Sequence, residues 1–269
     1  MSGAGWPRFH CDPEPLPGEL LMRRDRERLL ALEADPGRGP SLFLYRWREP
    51  TLTLGYAQVA ERVLDLEAVA RAGVPVVRRP TGGRAILHAD DWTYSAVVPL
   101  DDPRFGGGLA ASVSRLAAVV AAALAAVGVD CVPAGRAAAR TARAARAAAR
   151  TPLADEPACF ALAVGHELTV AGRKLAGSAQ RRLTRALLQQ GTILAGPGYE
   201  RLADLLAGEG GQRAAARARL LAATVTVREL TGGRARFEDF ARALARAWLG
   251  EPPRRPGRAP TLDTPGGRS

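Results

Sequence analysis

Residues 78–95 read RRPTGGRAILHADDWTYS, and residues 172–182 read GRKLAGSAQRR. In the first stretch, the Gly82-Gly83 pair separates two runs with the composition of short β-strands. Glycines let a backbone approach a ligand closely and leave amides free to donate hydrogen bonds, although a Gly-Gly pair alone is more typical of a plain turn. The second stretch continues residues 167–170 across an Ala171-Gly172 turn, and this pattern predicts a tight β-hairpin.

The rest of the chain mixes helical and extended patterns without regular alternation. Amphipathic spacing predicts helices over residues 18–34, 63–72, 109–127, 199–206, 212–223 and 235–249. Apolar runs bounded by turn residues predict strands over residues 41–47, 51–55, 74–77, 85–87, 93–98, 129–132 and 187–194. An irregular mixture of this kind favours an α+β fold over a doubly wound sheet.

The chain has 269 residues, which is enough for a domain with a substantial core. Pro- and Gly-rich composition predicts a flexible N-terminus over residues 1–17 and a disordered tail over residues 250–269, with a single domain over residues 18–249 between them. Within that domain, residues 134–157 form an Ala/Arg insertion. A helix there would carry a stripe of arginines suited to an acidic partner, although a solvated insertion produced by repetitive coding is the better explanation of the segment.

The net charge of +11 predicts acidic partners, such as nucleic acid, anionic lipid or an acidic protein surface. The basic residues are unevenly divided by type, because Lys174 is the one lysine among 38 basic side chains. Lysine is a compact point charge with a movable pKa, whereas arginine is a planar fork that stays protonated. A lysine kept in so arginine-rich a chain therefore indicates a site that needs an ammonium group.

The sequence also argues against several classes of protein. Its longest uninterrupted apolar run, residues 116–127, is shorter than the roughly 20 residues that cross a bilayer, and its start does not resemble a signal peptide. We therefore expect a cytoplasmic protein that does not bind membranes. Residues 172–178 have the glycine spacing of a P-loop, but Ser178 stands at the lysine position.

Three dispersed cysteines, Cys11, Cys131 and Cys159, lack the spacing of a disulfide framework or a zinc site, so we expect no metal. Cys159 lies fifteen positions before Lys174, and the predicted hairpin can bring the lysine back towards it. An ammonium group lowers the pKa of a neighbouring thiol and so creates a nucleophilic thiolate. The alternatives are an inert buried cysteine and a solvent-exposed lysine. His88 is a candidate base, although a single histidine is more often structural.

The two opening stretches, with EPTLTLGYAQ at residues 49–58 and LLQQGTIL at residues 187–194, resemble the biotin/lipoyl protein ligase catalytic-domain family. Cys159-Phe160 followed by Glu167-Leu168 is similar to its octanoyltransferase branch, which moves octanoyl groups from acyl carrier protein to lipoyl domains. The resemblance covers roughly residues 18–230. It implies a catalytic domain with a mixed β-sheet flanked by helices, as in biotin ligases and class II aminoacyl-tRNA synthetases.

The resemblance also implies roles for individual residues. Cys159 would be the acyl-thioester nucleophile, and Lys174 would lower its pKa and contact the acyl carbonyl. The residues expected to bind substrate are Arg79, Thr81, Gly82, Gly83, Arg84, His88, Gly177, Ser178 and Ala179.

The chain departs from the family pattern at two places. Residues 161–166 lack the usual Pro-Ser and aromatic residue, and the first-helix motif keeps only Met22 and Asp25. The Ala/Arg insertion is also longer than usual.

The function implied is transfer of octanoyl from acyl carrier protein to a lysine of lipoyl domains, in protein lipoylation. No cofactor is expected, because the acyl group arrives on the carrier's phosphopantetheine arm. The expected acceptors are lipoyl-domain proteins such as the glycine cleavage H protein and dehydrogenase E2 subunits, and we expect a monomer.

Three alternatives remain. One is an ATP-dependent lipoate-protein ligase, which would not need Cys159, and another is an amidotransferase between lipoyl-bearing proteins. An arginine-rich nucleic-acid-binding module would explain the charge, but aromatic side chains for base stacking are few, so we expect no nucleic-acid partner.

Overall fold

A seven-stranded mixed sheet organises the fold in the computed structural model, which describes residues 5–134 and 167–250. In spatial order its strands are β1 (Arg8–Cys11), β2 (Ser41–Tyr45), β6 (Asp91–Pro99), β10 (Ala186–Leu194), β9 (Arg173–Arg182), β8 (Leu168–Val170) and β7 (Val132–Pro133). The β1–β2 pair is parallel, and the other neighbours are antiparallel.

A smaller, three-stranded sheet lies beside it, in the order β4 (Val76–Arg78), β3 (Thr51–Leu54) and β5 (Ile86–His88). The helices in the described residues are α1 (Gly18–Ala34), α2 (Ala60–Val63), α3 (Leu66–Ala72), α4 (Leu109–Ala126), α5 (Gly210–Ala223), α6 (Val227–Thr231) and α7 (Phe237–Leu249), with 3-10 helices at Pro36–Arg38 and Tyr199–Leu205. The predicted α+β class is confirmed.

The centre of the large sheet is buried on both faces, so β6 and β10 are buried along their whole length. Successive strand residues point to opposite faces. One face, which includes Leu187 and Ile193, packs under α4 and α7 in the largest apolar cluster. On the other face, Leu188 packs against Leu29 and Leu32 of α1. The sheet therefore divides the molecule into an α4/α7 side and an α1 side.

The small sheet has its own apolar cluster, in which Leu52 and Leu87 pack with the 3-10 helix Tyr199–Leu205 and Leu220 of α5. Because β3 and β5 extend from this cluster towards the α1 side of β6 and β10, side chains of both sheets meet in a crevice there.

Helix α4 is long and apolar enough to cross a membrane by length and composition alone. In this fold it is a core helix instead, because Leu116, Val120 and Leu124 are at most 1% exposed beneath α7.

The structure differs from the sequence-based expectation at several places. Helix α6 was not predicted, and of the strand predicted over residues 129–132 only Val132 belongs to a strand, β7. Residues 8–11, predicted to be part of a flexible N-terminus, form β1 because β2 offers them an unpaired strand edge. The helix predicted over residues 63–72 is two helices, since Leu64 and Asp65 are extended and the Asp65 carboxylate caps α3 at the Ala68 amide. The helix predicted over residues 199–206 is a 3-10 helix.

The Ala/Arg insertion predicted over residues 134–157 lies outside the described residues except for Ala134, and so does the tail after Gly250.

Trp248 joins the two ends of the described chain. Its ring is 1% exposed and stacks on Phe105 at 4.0 Å, while its Nε1 donates a 2.9 Å hydrogen bond to the Arg8 carbonyl of β1. We expect Trp248→Ala to lower the free energy of unfolding by about 3–5 kcal/mol, because it leaves a cavity and an unpaired carbonyl. Chemical denaturation measures this loss.

The neighbouring Leu249 is 39% exposed and provides the control. Leu249→Ala is expected to lower the free energy of unfolding by less than about 1 kcal/mol. Equal losses in the two variants would contradict the role assigned to the tryptophan.

Candidate active site

The predicted hairpin is present and positions Lys174. Strands β8 and β9 are joined by Ala171 and Gly172, which both have positive φ, at 48° and 79°. Two successive residues in this region form the tight turn that matches the twist of the flanking strands. Lys174 is therefore the second residue of β9, where Thr169 of β8 is its partner in the register.

Lys174 points into the protein and is only 2% exposed. Its Nζ donates a short hydrogen bond to Oε1 of Glu167, which is itself buried. A buried ammonium and carboxylate are each costly without an opposite charge, so each makes the burial of the other possible. The solvent-exposed alternative for Lys174 is therefore wrong. Glu167 was not predicted to pair with Lys174. Its place at the start of the strand that pairs with the lysine strand could have indicated this contact.

The strand beyond Lys174 is shaped to admit this side chain. A Cβ added at Gly177 would lie 2.8 Å from Lys174 Cε and 3.0 Å from its Nζ. Real Cβ atoms do not approach other atoms as closely as 2.8 Å. Gly177 therefore leaves the space in which the ammonium group lies, and any larger residue must displace it.

A narrow crevice begins beside Gly177 and runs between the two sheets. The predicted site residues on its wall are Arg79, His88, Gly177, Ser178 and Ala179. The wall also contains residues that the sequence analysis did not select, namely Met22, Tyr45, Trp47, Thr53, Ile86, Thr93, Gln190 and Thr192. They come from six separate elements and the loop after β2, so no local pattern in the sequence connects them.

His88 is held rigidly in this wall. Its Nδ1 lies 2.8 Å from the Asp91 carboxylate, its Nε2 lies 3.0 Å from Thr53 Oγ1, and its ring stacks on Trp47 at 3.9 Å. Because both ring nitrogens form contacts within the protein, these contacts favour a structural role for His88 over the role of a catalytic base.

Arg79 is buried and holds the Gly-Gly turn in shape. Its guanidinium donates to the carbonyl oxygens of Gly82 at 2.9 Å and Arg84 at 2.7 Å, and to Thr53 Oγ1 at 3.1 Å. Thr81, Gly82, Gly83 and Arg84, which were expected to bind substrate, lie in this turn and are not among the residues that line the crevice, so their part in substrate binding stays a prediction. The turn also needs Gly55, because a Cβ there would lie 2.0 Å from the Gly83 carbonyl oxygen.

A chain of buried hydrogen bonds ties this turn to α1. The Asp25 carboxylate accepts from Tyr45 Oη at 2.9 Å and Gln190 Nε2 at 2.7 Å, and the other end of the Gln190 amide accepts from Thr81 Oγ1 at 2.6 Å. Burial raises the pKa of Asp25 above its ordinary value, an effect opposed by these hydrogen bonds. Met22 and Asp25, the two residues kept from the first-helix motif, therefore both face the crevice region.

The two described cysteines are poor nucleophiles. Burial raises the pKa of Cys131 to about 11, and burial also raises the pKa of Cys11. Cys159 lies in 135–166, outside the described residues, so its distance from Lys174 remains a prediction. Within residues 5–134 and 167–250, no group of three or more His, Cys, Asp or Glu side chains is placed to hold a metal.

The raised pKa values predict slow alkylation of a Cys159→Ser variant. At pH 7.5, a thiol of pKa about 11 is ionised to only about 0.03%. Labelling of Cys131 by iodoacetamide should therefore be slow at neutral pH and rise about tenfold per pH unit up to about pH 10. Time-resolved mass spectrometry measures the rates, with the wild-type chain as the comparison. Rapid neutral-pH labelling of either remaining cysteine would contradict this expectation.

Comparison with known proteins places this site in a family. Residues 24–249 match the model of the lipoyl protein ligase A/B catalytic domain. Octanoyltransferase LipM of Moorella thermoacetica is 42% identical over 156 residues, which are 58% of this chain and 53% of that protein. Octanoyltransferase LipM of an Exiguobacterium species is 35% identical over 205 residues, covering 76% of this chain and 72% of that protein. The chain spans about half the length of the first curated relatives that it matches.

Among solved structures, a bi-partite lipoate protein ligase from Thermoplasma acidophilum superposes with a TM-score of 0.67 at 20% identity, covering 92% of this chain and 83% of that one. This likeness concerns the fold alone. The family match begins within α1, at residue 24, and covers the Gly-Gly turn, the Lys174 hairpin and the final helix. This chain belongs to the lipoyl protein ligase A/B catalytic domain family.

Proposed function

We propose that the protein is an octanoyltransferase, which moves an octanoyl group from acyl carrier protein to a lysine of a lipoyl domain through a thioester on Cys159. The observation that carries the proposal is the buried Lys174 ammonium, which lies against Gly177 in the wall of a narrow crevice. Two relatives of this chain carry the name octanoyltransferase, which supports the same activity.

In the first step, the Cys159 thiolate attacks the octanoyl thioester on the phosphopantetheine arm. A new carbon–sulfur bond forms to Cys159, the old one breaks, and the phosphopantetheine thiol leaves after taking up a proton. The ammonium of Lys174 favours the thiolate form of the nucleophile and the developing negative charge on the carbonyl oxygen. Glu167 keeps that ammonium in place and balances its charge in the interior.

In the second step, the neutral amine of the acceptor lysine attacks the acyl-enzyme. An amide forms, the bond to Cys159 breaks, and a proton of the amine neutralises the departing thiolate. A thioester is exchanged for a thioester in the first step and for a more stable amide in the second. The reaction therefore proceeds without ATP or a metal ion.

The lining of the crevice suits an unbranched acyl chain, and its walls must move apart to admit one, because the volume is only about 30 Å³. Trp47, Ile86 and Ala179 give it apolar surface, while the polar side chains His88 and Thr53 are hydrogen-bonded to each other. An apolar chain lying there buries surface at about 25 cal/mol per Å² and leaves the His88–Thr53 hydrogen bond intact.

The proposed partners are acyl carrier protein and lipoyl-domain proteins, both expected to be acidic. The net charge of +11 favours their association and predicts that it weakens at high salt. The protein is proposed to work in the cytoplasm.

Intact-mass analysis tests the proposal directly. Mixed with octanoyl-acyl carrier protein in the absence of ATP, the wild-type chain should gain the mass of one octanoyl group, which hydroxylamine removes. Cys159→Ala should gain none, and Cys131→Ala, which removes a half-buried cysteine elsewhere, should load like the wild type. Formation of an adenylate from free lipoate and ATP, insensitive to Cys159→Ala, would show the ligase instead. A labelled octanoyl group taken from a lipoyl-bearing protein would show the amidotransferase.

The space left by Gly177 gives a second test. Gly177→Ala should displace the Lys174 ammonium, and a displacement near 1 Å is expected to lower the loading rate by about 100-fold. Gly210→Ala is the matched control, because a Cβ at Gly210 meets nothing within 4 Å. Mass spectrometry of samples quenched at successive times gives the rates of octanoyl loading, and circular dichroism shows whether both variants are folded. A folded Gly177→Ala variant that loads at the wild-type rate would refute the requirement for this ammonium position.

A further inference from the structure

We propose that Met22 determines which length of acyl chain the site accepts. Its side chain forms the part of the wall between the crevice and a second cavity that a substitution can remove. This inference rests on the proposed function, since it takes the crevice as the acyl site. It concerns a residue to which the resemblance of the first-helix motif gave no role in the reaction.

The direction of the crevice follows from the strand register. Gly177 and Ala179 lie two residues apart on one face of β9, and their partners on β10 are Thr192 and Gln190. All four line the crevice, so it runs along these strands for about 7 Å from the Lys174 end. A chain attached near Lys174 would therefore extend with its tail towards Gln190.

At that far end stands Met22, which is 6% exposed. Its sulfur lies 3.4 Å from Gln190 Nε2, on the crevice side of α1. The acyl tail would thus meet the methionine side chain end-on after passing Ala179.

A second cavity, with a volume of about 300 Å³, lies on the other side of Met22. Its wall is mixed, because the apolar side chains of Leu29, Leu30 and Leu183 lie beside four arginines, namely Arg26, Arg78, Arg79 and Arg181. Arg181 lies two residues beyond Ala179 on the same face of β9. The cavity therefore continues the line of the crevice. Met22 and Arg79 are the two residues that line both spaces.

Of these two shared residues, only Met22 can be replaced by a shorter side chain without changing the shape of the site. Arg79 holds the turn through Gly82 and Arg84, so its removal would change the shape of the site itself. The side chain of Met22 is unbranched and flexible and fills space. Helix α1 is held at this point by the hydrogen bonds of Asp25 and by buried Leu21 and Leu29, so truncation of Met22 would open the wall without moving the helix.

The experiment compares acyl-carrier donors of different length. Loading of octanoyl and dodecanoyl groups is followed by intact mass in the wild-type chain and in Met22→Ala. Because a single methylene in an apolar pocket can discriminate tenfold or more, we expect the dodecanoyl-to-octanoyl rate ratio to rise by at least about tenfold in Met22→Ala. Met22→Phe should move the preference the other way, towards hexanoyl. Leu66→Ala, an exposed leucine on α3, is the control and should keep the wild-type ratio.

The outcomes separate this inference from the function on which it rests. If the wild-type chain loads octanoyl and either Met22 variant loads with an unchanged length preference, Met22 does not set the length. If the wild-type chain forms no acyl thioester with any donor, the proposed function falls and this inference falls with it. Opposite shifts of the chain-length preference in Met22→Ala and Met22→Phe would establish that Met22 forms the end wall of the acyl site.

Discussion

A charged ammonium group in the interior of a protein requires an opposite charge beside it, and the site described here depends on that constraint. Lys174 is the only lysine of the chain, and its Nζ pairs with Glu167 under cover of the β8–β9 hairpin. Loss of one member of a buried ion pair typically costs about 3–5 kcal/mol. The hairpin, Gly177 and the head of the crevice are all arranged around this pair.

Glycine positions and buried hydrogen bonds complete the geometry around the pair. Gly55 and Gly83 let the small sheet and the turn approach each other. Arg79 stabilises the turn by a hydrogen bond to the Gly82 carbonyl oxygen. The Asp25–Gln190–Thr81 chain then fixes the turn to α1. A crevice bounded in this way is rigid on three sides, and the flexible Met22 closes its far end.

The family match and the geometry support each other at different levels. The match identifies a lipoyl protein ligase A/B catalytic domain. The buried lysine and the crevice of partly apolar walls are the features on which the proposed acyl transfer rests. The activation step is the point on which the proposed transferase and a ligase differ.

The α+β class, most of the element positions and the hairpin turn that carries Lys174 could be predicted from the sequence. These features are local, since a turn type, a helix period or a single unusual residue is visible within a few positions. Only the tertiary structure decided that Glu167 pairs with Lys174, that β1 joins the sheet edge, and that Thr81 and Arg84 support the turn. It also brought Asp25 and Thr81 to Gln190, which is 165 and 109 residues away from them. Such contacts arise from packing of distant elements, and no periodicity along the chain records them.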